Sequence, residues 1–470
     1  MASVALQILD VLKEFGIDTV FGIPGGAISR VYAELVNRPD IRVVNATHET
    51  NAMFLAMGYA RATGKPAVVL TTAGPGFTNA ITGLASAMAD GLPVLLISGE
   101  VPRSSFGRGA LQEGSSYGYD AVAMARPITK TAMQLTRPTA AVTTVRKAIA
   151  TMLSGKPGLA FISLPLDVSN ADVAQQTYAG SPSVAFRIDA DACRSAADLL
   201  GAARRPLLLV GAGARSPESR AAIVELARSQ QIPVAVTPKG KSVFPEDDEL
   251  YLGVLGFGGH ESVIEYLNQK PDVVFVAGSS LNDFATNAWT PLLTGSTAFI
   301  QVDIDAAQLG KNYPVDIGLL GPIKDVVGEI LTHASPVVVR EKHPKLAMQS
   351  LPRSATGALT TAEAVMVMNE VCPKDSLFTS DMGEHLSVAL HFLRTRTPGA
   401  FTTCLGFGSM GSGVVSAIGM ALGDSAPGGK KRRAFAICGD GGFLMSGNEL
   451  QSAVTHKAPV TFVIMNDGRY

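Results

Sequence analysis

The chain has 470 residues, with 39 Lys and Arg against 40 Asp and Glu and a formal net charge of −1. That length predicts roughly two to four domains, and the balanced charge without a long basic run argues against a nucleic-acid partner. Its four cysteines (Cys193, Cys372, Cys404, Cys438) are far apart and form no CxxC pair, so neither a disulfide framework nor a zinc site is indicated.

The apolar positions Val4, Leu6, Ile8, Leu9 and Leu12, interrupted by Asp10, Lys13 and Glu14, predict an amphipathic first helix ending at Gly16, not a signal peptide. No uninterrupted apolar run reaches the ~20 residues needed to span a bilayer. The expected setting is therefore cytoplasmic, without a membrane partner.

Short apolar runs then alternate with helical stretches, the pattern of parallel sheets wrapped by helices. A first block, residues 1–170, has strands near Thr19–Gly22, Arg42–Val44, Ala67–Thr71, Val94–Ser98 and Ala160–Ser163. Polar residues 169–183 read as a linker. A second block, residues 184–332, has strands near Pro206–Val210, Pro233–Val236, Val273–Ala277 and Ala298–Asp303. Residues 333–358 mix prolines and charges without a period and read as a second linker. The third block, residues 356–470, contains Leu377–Ser380, Ala434–Cys438 and Val460–Met465, with Lys430–Arg433 expected as a solvated loop. The expected fold is α/β, with three doubly wound parallel-sheet domains. The third is shorter than such a domain usually is, so it is expected to be incomplete at its C-terminus.

Two stretches carry chemistry. Gly439-Asp440-Gly441 is followed, after room for one helix and one strand, by Asn466. The Asp440 carboxylate and the Asn466 side-chain oxygen are hard ligands that suit Mg²⁺, and the Gly441 and Gly442 amides can approach a phosphate closely. Far upstream stands His48-Glu49. A carboxyl beside a heterocyclic nitrogen in an apolar pocket can donate or share a proton.

Together with FGIPGGA (21–27), GYARATGKPAV (58–68), TTAGPGFTNAITGLASAMADGLPVLLISG (71–99), FGRGALQE (106–113), LPLDV (164–168), DMGEH (381–385) and GFGSMGSG (406–413), these stretches resemble the thiamine-diphosphate enzymes of the acetolactate synthase group. The resemblance runs from about Val4 to Tyr470. It implies pyrimidine-binding, central and diphosphate-binding domains in that order. It also implies that Glu49 hydrogen-bonds the aminopyrimidine ring of thiamine, favouring the imino tautomer that removes the C2 proton. Met410 matches the apolar wedge that bends the cofactor, and the Gly408 carbonyl accepts from the imino nitrogen. Gln112 matches a glutamine on the substrate side.

The same resemblance assigns Pro24, Gly25, Gly26, Pro75 and Asn79 to the cofactor from the first domain. From the third it assigns Gly383, Glu384, His385, Gly439, Gly441 and Gly442, with Mg²⁺ on Asp440, Asn466 and the Gly468 carbonyl. The family often has Gln where Glu384 stands, and Met465 replaces the first of two usual Asn residues. The family builds its site between subunits, so a homodimer or homotetramer is implied. Acetolactate synthases carry FAD on the central domain. Here Ser280 and Phe284 stand where arginines are expected and only Asp283 remains, which leaves FAD open and disfavoured.

The implied reaction is decarboxylation of a 2-keto acid with carboligation to a second carbonyl. Alternatives are a non-oxidative 2-keto acid decarboxylase or C–C lyase, and a catalytically silent nucleotide-binding homologue. The intact set Glu49, Met410, Asp440 and Asn466 speaks against the silent reading. A nicotinamide oxidoreductase would need a GxGxxG turn, which FGIPGG and GAGARS do not supply.

Overall fold

The computed structural model describes residues 1–176, 186–296, 298–334, 336–350, 354 and 357–468. The chain divides into two compact units, one of Met1–Val184 with Cys404–Tyr470, the other of Ala185–Thr403.

The first unit is built on a six-stranded parallel sheet. Its order across the sheet is Arg42–Asn45, Thr19–Gly22, Ala67–Thr71, Val94–Glu100, Leu159–Pro165 and Thr131–Gln134. The central strands read as continuous Val, Leu and Ile because both faces are covered by helices. The strand Thr131–Gln134 was not expected from sequence; as an edge strand with four half-buried residues it lacks the apolar run of its neighbours. The first helix, Val4–Glu14, is capped by the Ser3 hydroxyl, which accepts from Leu6 N at 3.1 Å.

Two consecutive strands leave Thr19–Gly22 on opposite sides, so the topological switch point lies between Thr19–Gly22 and Ala67–Thr71. The turns after both strands, Pro24–Gly26 and Gly74–Pro75, therefore meet in one crevice, where α/β sheets bind ligands. The C-terminal portion of this unit contributes the parallel pair Ala434–Gly439 and Val460–Met465. Its long helix Ser412–Asp424 is wholly buried and packs against the helix Glu49–Thr63.

Gly58 faces Ser416 O, and Gly419 faces Leu55 O, so closely that neither position has room for a Cβ. Small residues at these two points are what let the backbones approach.

In the second unit a six-stranded parallel sheet has the order Tyr251–Val254, Val234–Val236, Pro206–Val210, Val273–Ala277, Ala298–Asp303 and Ile317–Leu320. The flanking strands Tyr251–Val254 and Ile317–Leu320 escape the sequence reading because each is four residues long and each carries a glycine. The pair Leu377–Ser380 and Phe401–Thr403 is also parallel.

Residues 333–358 are not a free linker where described. Arg340 donates to the carbonyls of Leu200 and Gln230, and Glu341 pairs with Arg205. Part of the first expected linker, residues 177–183, lies outside the described residues. Within the basic cluster, Arg432 is not merely solvated, since it donates from two nitrogens to Asp424 at 3.1 and 2.6 Å. Among the described residues no helix is long and apolar enough to cross a membrane.

Candidate active site

Glu49 opens the helix Glu49–Thr63 and is 8% exposed. A buried carboxylate needs donors. One is the Asn79 amide, whose Nδ2 donates to Glu49 Oε2 at 3.0 Å. Asn79 is held in turn by Thr50, whose hydroxyl donates to the Asn79 carbonyl. Both residues were expected at the cofactor, and the fold joins them directly.

Pro24, Gly25 and Gly26 follow the strand Thr19–Gly22. A Cβ on Gly25 would lie 2.6 Å from Thr72 Cβ, so this glycine admits the second crevice turn, while Gly26 faces open space. Pro75 opens the next short helix after Gly74, whose φ of +63° suits glycine. Gln112 packs its side chain on Gly74, with Cγ 2.7 Å from where a Cβ would be. The Gln112 loop is anchored by residues that sequence reading passed over. Glu100 is 1% exposed and accepts from Val101 N and Gly114 N at 2.7 and 3.1 Å. Burial pushes the Glu100 carboxyl up, against the pull of those amides. The Tyr119 hydroxyl accepts from Gly74 N at 2.9 Å.

Met410 is 38% exposed, so it is not core filler. The segment that carries it is pinned on both sides. Gly406 N donates to Asp90 Oδ1 at 3.0 Å, and Asp90 pairs with the buried Arg61 at 2.5 Å. Ser409 Oγ meets Ser86 Oγ at 2.9 Å. Gly408, with φ of +76°, makes the bend between these two anchors. Just beyond, Gly411 abuts Ser446, on the helix Asp440–Ser446.

Asp440, Asn466 and Gly468 come together at the ends of two paired strands, where Gly439 sits opposite Met465. Gly468 N donates to Asp440 Oδ2 at 3.2 Å and to Asn466 Oδ1 at 3.1 Å. Asp440 Oδ1 accepts from Gly441 N at 2.9 Å, and Gly441 and Gly442 are buried. One carboxylate, one amide oxygen and a backbone carbonyl form a hard donor set that fits Mg²⁺ with a diphosphate completing the shell. Among the described residues no three His, Cys, Asp or Glu side chains gather, so a zinc-type cluster is absent there.

Gly383, Glu384 and His385 belong to the second unit. His385 is 5% exposed, its Nε2 is buried without a hydrogen-bond partner, and burial lowers its pKa. An orphaned buried nitrogen fits a ligand phosphate. Glu384 is exposed, and Thr361 Oγ1 donates to it at 3.3 Å. Its carboxylate is therefore engaged away from that nitrogen's role.

Comparison with known proteins places the chain in a family. Residues 2–124 match the N-terminal TPP binding domain of thiamine pyrophosphate enzymes, residues 193–330 their central domain, and residues 381–470 their C-terminal TPP binding domain. The chain is 31% identical to the acetolactate synthase isozyme 1 large subunit of Escherichia coli K12, over 98% of this chain and 81% of that protein. It is also 31% identical to the acetolactate synthase of Arthrospira platensis, over 99% and 82%.

This chain belongs to the thiamine pyrophosphate enzyme family, in its acetolactate synthase-like group.

Among solved structures, benzoylformate decarboxylase from Polynucleobacter necessarius superposes with a TM-score of 0.87 at 24% identity, covering 100% of this chain and 86% of that one. A thiamin diphosphate-dependent type of enzyme from Mycobacterium smegmatis, known from an X-ray structure, gives 0.88 at 26% identity, covering 100% and 89%. The expected three parallel-sheet domains flanked by helices are what these neighbours share.

Proposed function

We propose that this thiamine-diphosphate enzyme decarboxylates a 2-keto acid and ligates the resulting fragment to a second carbonyl, as its acetolactate synthase relatives are named for doing. The observation that carries the reading is the Glu49–Asn79 contact, made in the same unit that holds the anchored Gly408–Met410 segment and the Asp440–Asn466–Gly468 oxygens.

Thiamine diphosphate, when bound, supplies a nucleophilic thiazolium carbon and a sink for the electrons left by departing CO₂. Asp440, Asn466 and the Gly468 carbonyl would hold Mg²⁺, with the Gly441 and Gly442 amides toward the diphosphate. Glu49 would hold a proton toward the aminopyrimidine nitrogen, with Asn79 keeping that carboxylate oriented. Met410, braced through Ser409 and Gly406, would orient the cofactor, and orientation of this kind can contribute several kcal/mol toward a barrier. Gln112 lies on the substrate side, on a loop fixed by Glu100 and Tyr119.

The central sheet offers less to a flavin. Gly213 packs on Gly278, with a Cβ position 2.8 Å from Gly278 Cα, so its glycines serve the close approach of two strand ends. FAD stays open and disfavoured on Ser280 and Phe284, which stand where arginines are expected. A homo-oligomer and a cytoplasmic setting complete the proposal.

The test supplies thiamine diphosphate, Mg²⁺ and pyruvate and follows CO₂ and acetolactate together, with Glu49→Gln as control. Acetolactate that disappears in Glu49→Gln supports the proposal. CO₂ with acetaldehyde alone would move it to a decarboxylase.

A further inference from the structure

Glu449 is 0% exposed, yet it carries a carboxylate. Taking such a group out of water costs several kcal/mol unless hydrogen bonds compensate. Among the described residues its donors all lie on Thr47. Thr47 N approaches Oε1 and Oε2 at 3.3 and 3.1 Å, and Thr47 Oγ1 donates to Oε2 at 2.6 Å. Thr47 stands two residues before Glu49, in the turn between the strand Arg42–Asn45 and the helix Glu49–Thr63. Glu449 lies just beyond the helix Asp440–Ser446, in the short turn Gly447–Glu449.

Neighbouring contacts run the same way. Asn51 Nδ2 donates to Asn448 Oδ1 at 3.3 Å, and Ser452 Oγ donates to the Asn45 carbonyl at 2.8 Å. The turn that presents Glu49 is thus clamped at Asn45, Thr47 and Asn51 by one segment that continues from the Asp440 helix.

We infer that Glu449 is a positioning residue for Glu49. Its carboxylate fixes the Thr47 amide and hydroxyl, which sets the entry angle of the Glu49 helix. It also ties that angle to the segment that begins at Gly439-Asp440-Gly441. A hydrogen bond to a charged group is worth roughly 1.5–3 kcal/mol, about ten- to a hundredfold in an equilibrium. The inference rests on Glu49 acting on the cofactor as proposed above.

The experiment compares Glu449→Gln with the unmodified protein in three measurements. Amide hydrogen exchange on the apo-protein is expected to rise about tenfold or more at residues 47–50. Calorimetry is expected to show thiamine diphosphate affinity, with Mg²⁺, within about threefold. The kcat is expected to fall about ten- to a hundredfold with KM little changed. Thr47→Val removes the hydroxyl half of the contact from the other side; it should shift exchange and kcat in the same direction by less, and it serves alone if Glu449→Gln does not fold.

Unchanged exchange at residues 47–50 overturns the inference, as does a kcat within twofold. Equal losses of cofactor affinity and kcat would show a structural role only. Failure of the unmodified protein to bind thiamine diphosphate would instead sink the functional reading. The exchange comparison would then still decide whether Glu449 holds this turn.

Discussion

Asn79 donates its side-chain amide to the Glu49 carboxylate at 3.0 Å, joining the N-terminus of the helix Glu49–Thr63 to the end of the short helix Pro75–Thr78. Glu49 follows the strand Arg42–Asn45 and Asn79 follows the strand Ala67–Thr71, so the Glu49 carboxylate is held from outside its own helix.

Asn79→Ala should therefore lower kcat/KM by about ten- to a hundredfold, the worth of one hydrogen bond to a charged group. The fold should survive, because the Asn79 carbonyl contact with Thr50 is to backbone. Steady-state kinetics alongside thermal unfolding check this; a loss of Tm matching the loss of rate would contradict it.

The Asp440–Gly468–Asn466 arrangement makes a ligand-dependent stability prediction. Saturating thiamine diphosphate and Mg²⁺ at a hundred times Kd should stabilise the protein by about 2.7 kcal/mol. Chelating the metal should remove most of that gain. Asn466→Ala should weaken cofactor affinity more than about tenfold by calorimetry, and a wild-type-like isotherm would exclude Asn466 as a ligand.

Glycines in different helices predict opposite outcomes for the same substitution. Gly58→Ala or Gly419→Ala forces a methyl against the facing backbone and should cost about 1–3 kcal/mol. Gly328→Ala, in a helix where no atom lies within 4 Å of the added carbon, should stabilise by about 0.5–1 kcal/mol. Chemical denaturation of the variants compares them directly.

His260 and His391 stack at 4.4 Å between ring centroids, both buried in the second unit. Burial, then the nearby Lys241, His391 and Arg394, push His260 down to about 3. Burial likewise lowers His391, which faces Lys241, Glu261 and Arg394. The folded state thus binds fewer protons than the unfolded one below the ordinary His value of about 6.5. Stability is fully present above that pH and is lost as pH falls toward about 3 for His260. Tm should decline between pH 6.5 and 5, and His260→Gln should flatten that decline relative to wild type.

Lys241 and Glu246 form a buried pair at 3.1 Å, with side chains 1% and 3% exposed. Thr395 also donates to Glu246, at 2.6 Å. Lys241→Met leaves that carboxylate without its cation and should cost about 3–5 kcal/mol. Restoring stability with Lys241→Met and Glu246→Gln together would identify the stranded charge as the cause.

Much of the molecule was legible before folding. Glu49, Met410, Asp440 and Asn466 sit in stretches whose residue types and local order survive as sequence patterns. The central strands Ala67–Thr71, Pro206–Val210 and Val273–Ala277 have the bounds expected, because strands buried on both faces read as unbroken apolar runs. The edge strands Thr131–Gln134 and Ile317–Leu320 escaped, because one exposed side removes that signal.

The sequence by itself determined the family and the cofactor class and nominated the side chains proposed here to carry the chemistry, since those depend on residue identity within short stretches. Only the tertiary structure decided what holds them: Asn79 on Glu49, Ser86 on Ser409, Asp90 on Gly406, Glu449 on Thr47. Lys130 illustrates the difference. Its ammonium donates to the carbonyls of Ser154 and Lys156, just past the helix Ala141–Leu153. Such pairings join residues remote in the chain. They follow from which strand ends and helix faces the packing brings within about 3 Å, a distance that no local periodicity encodes.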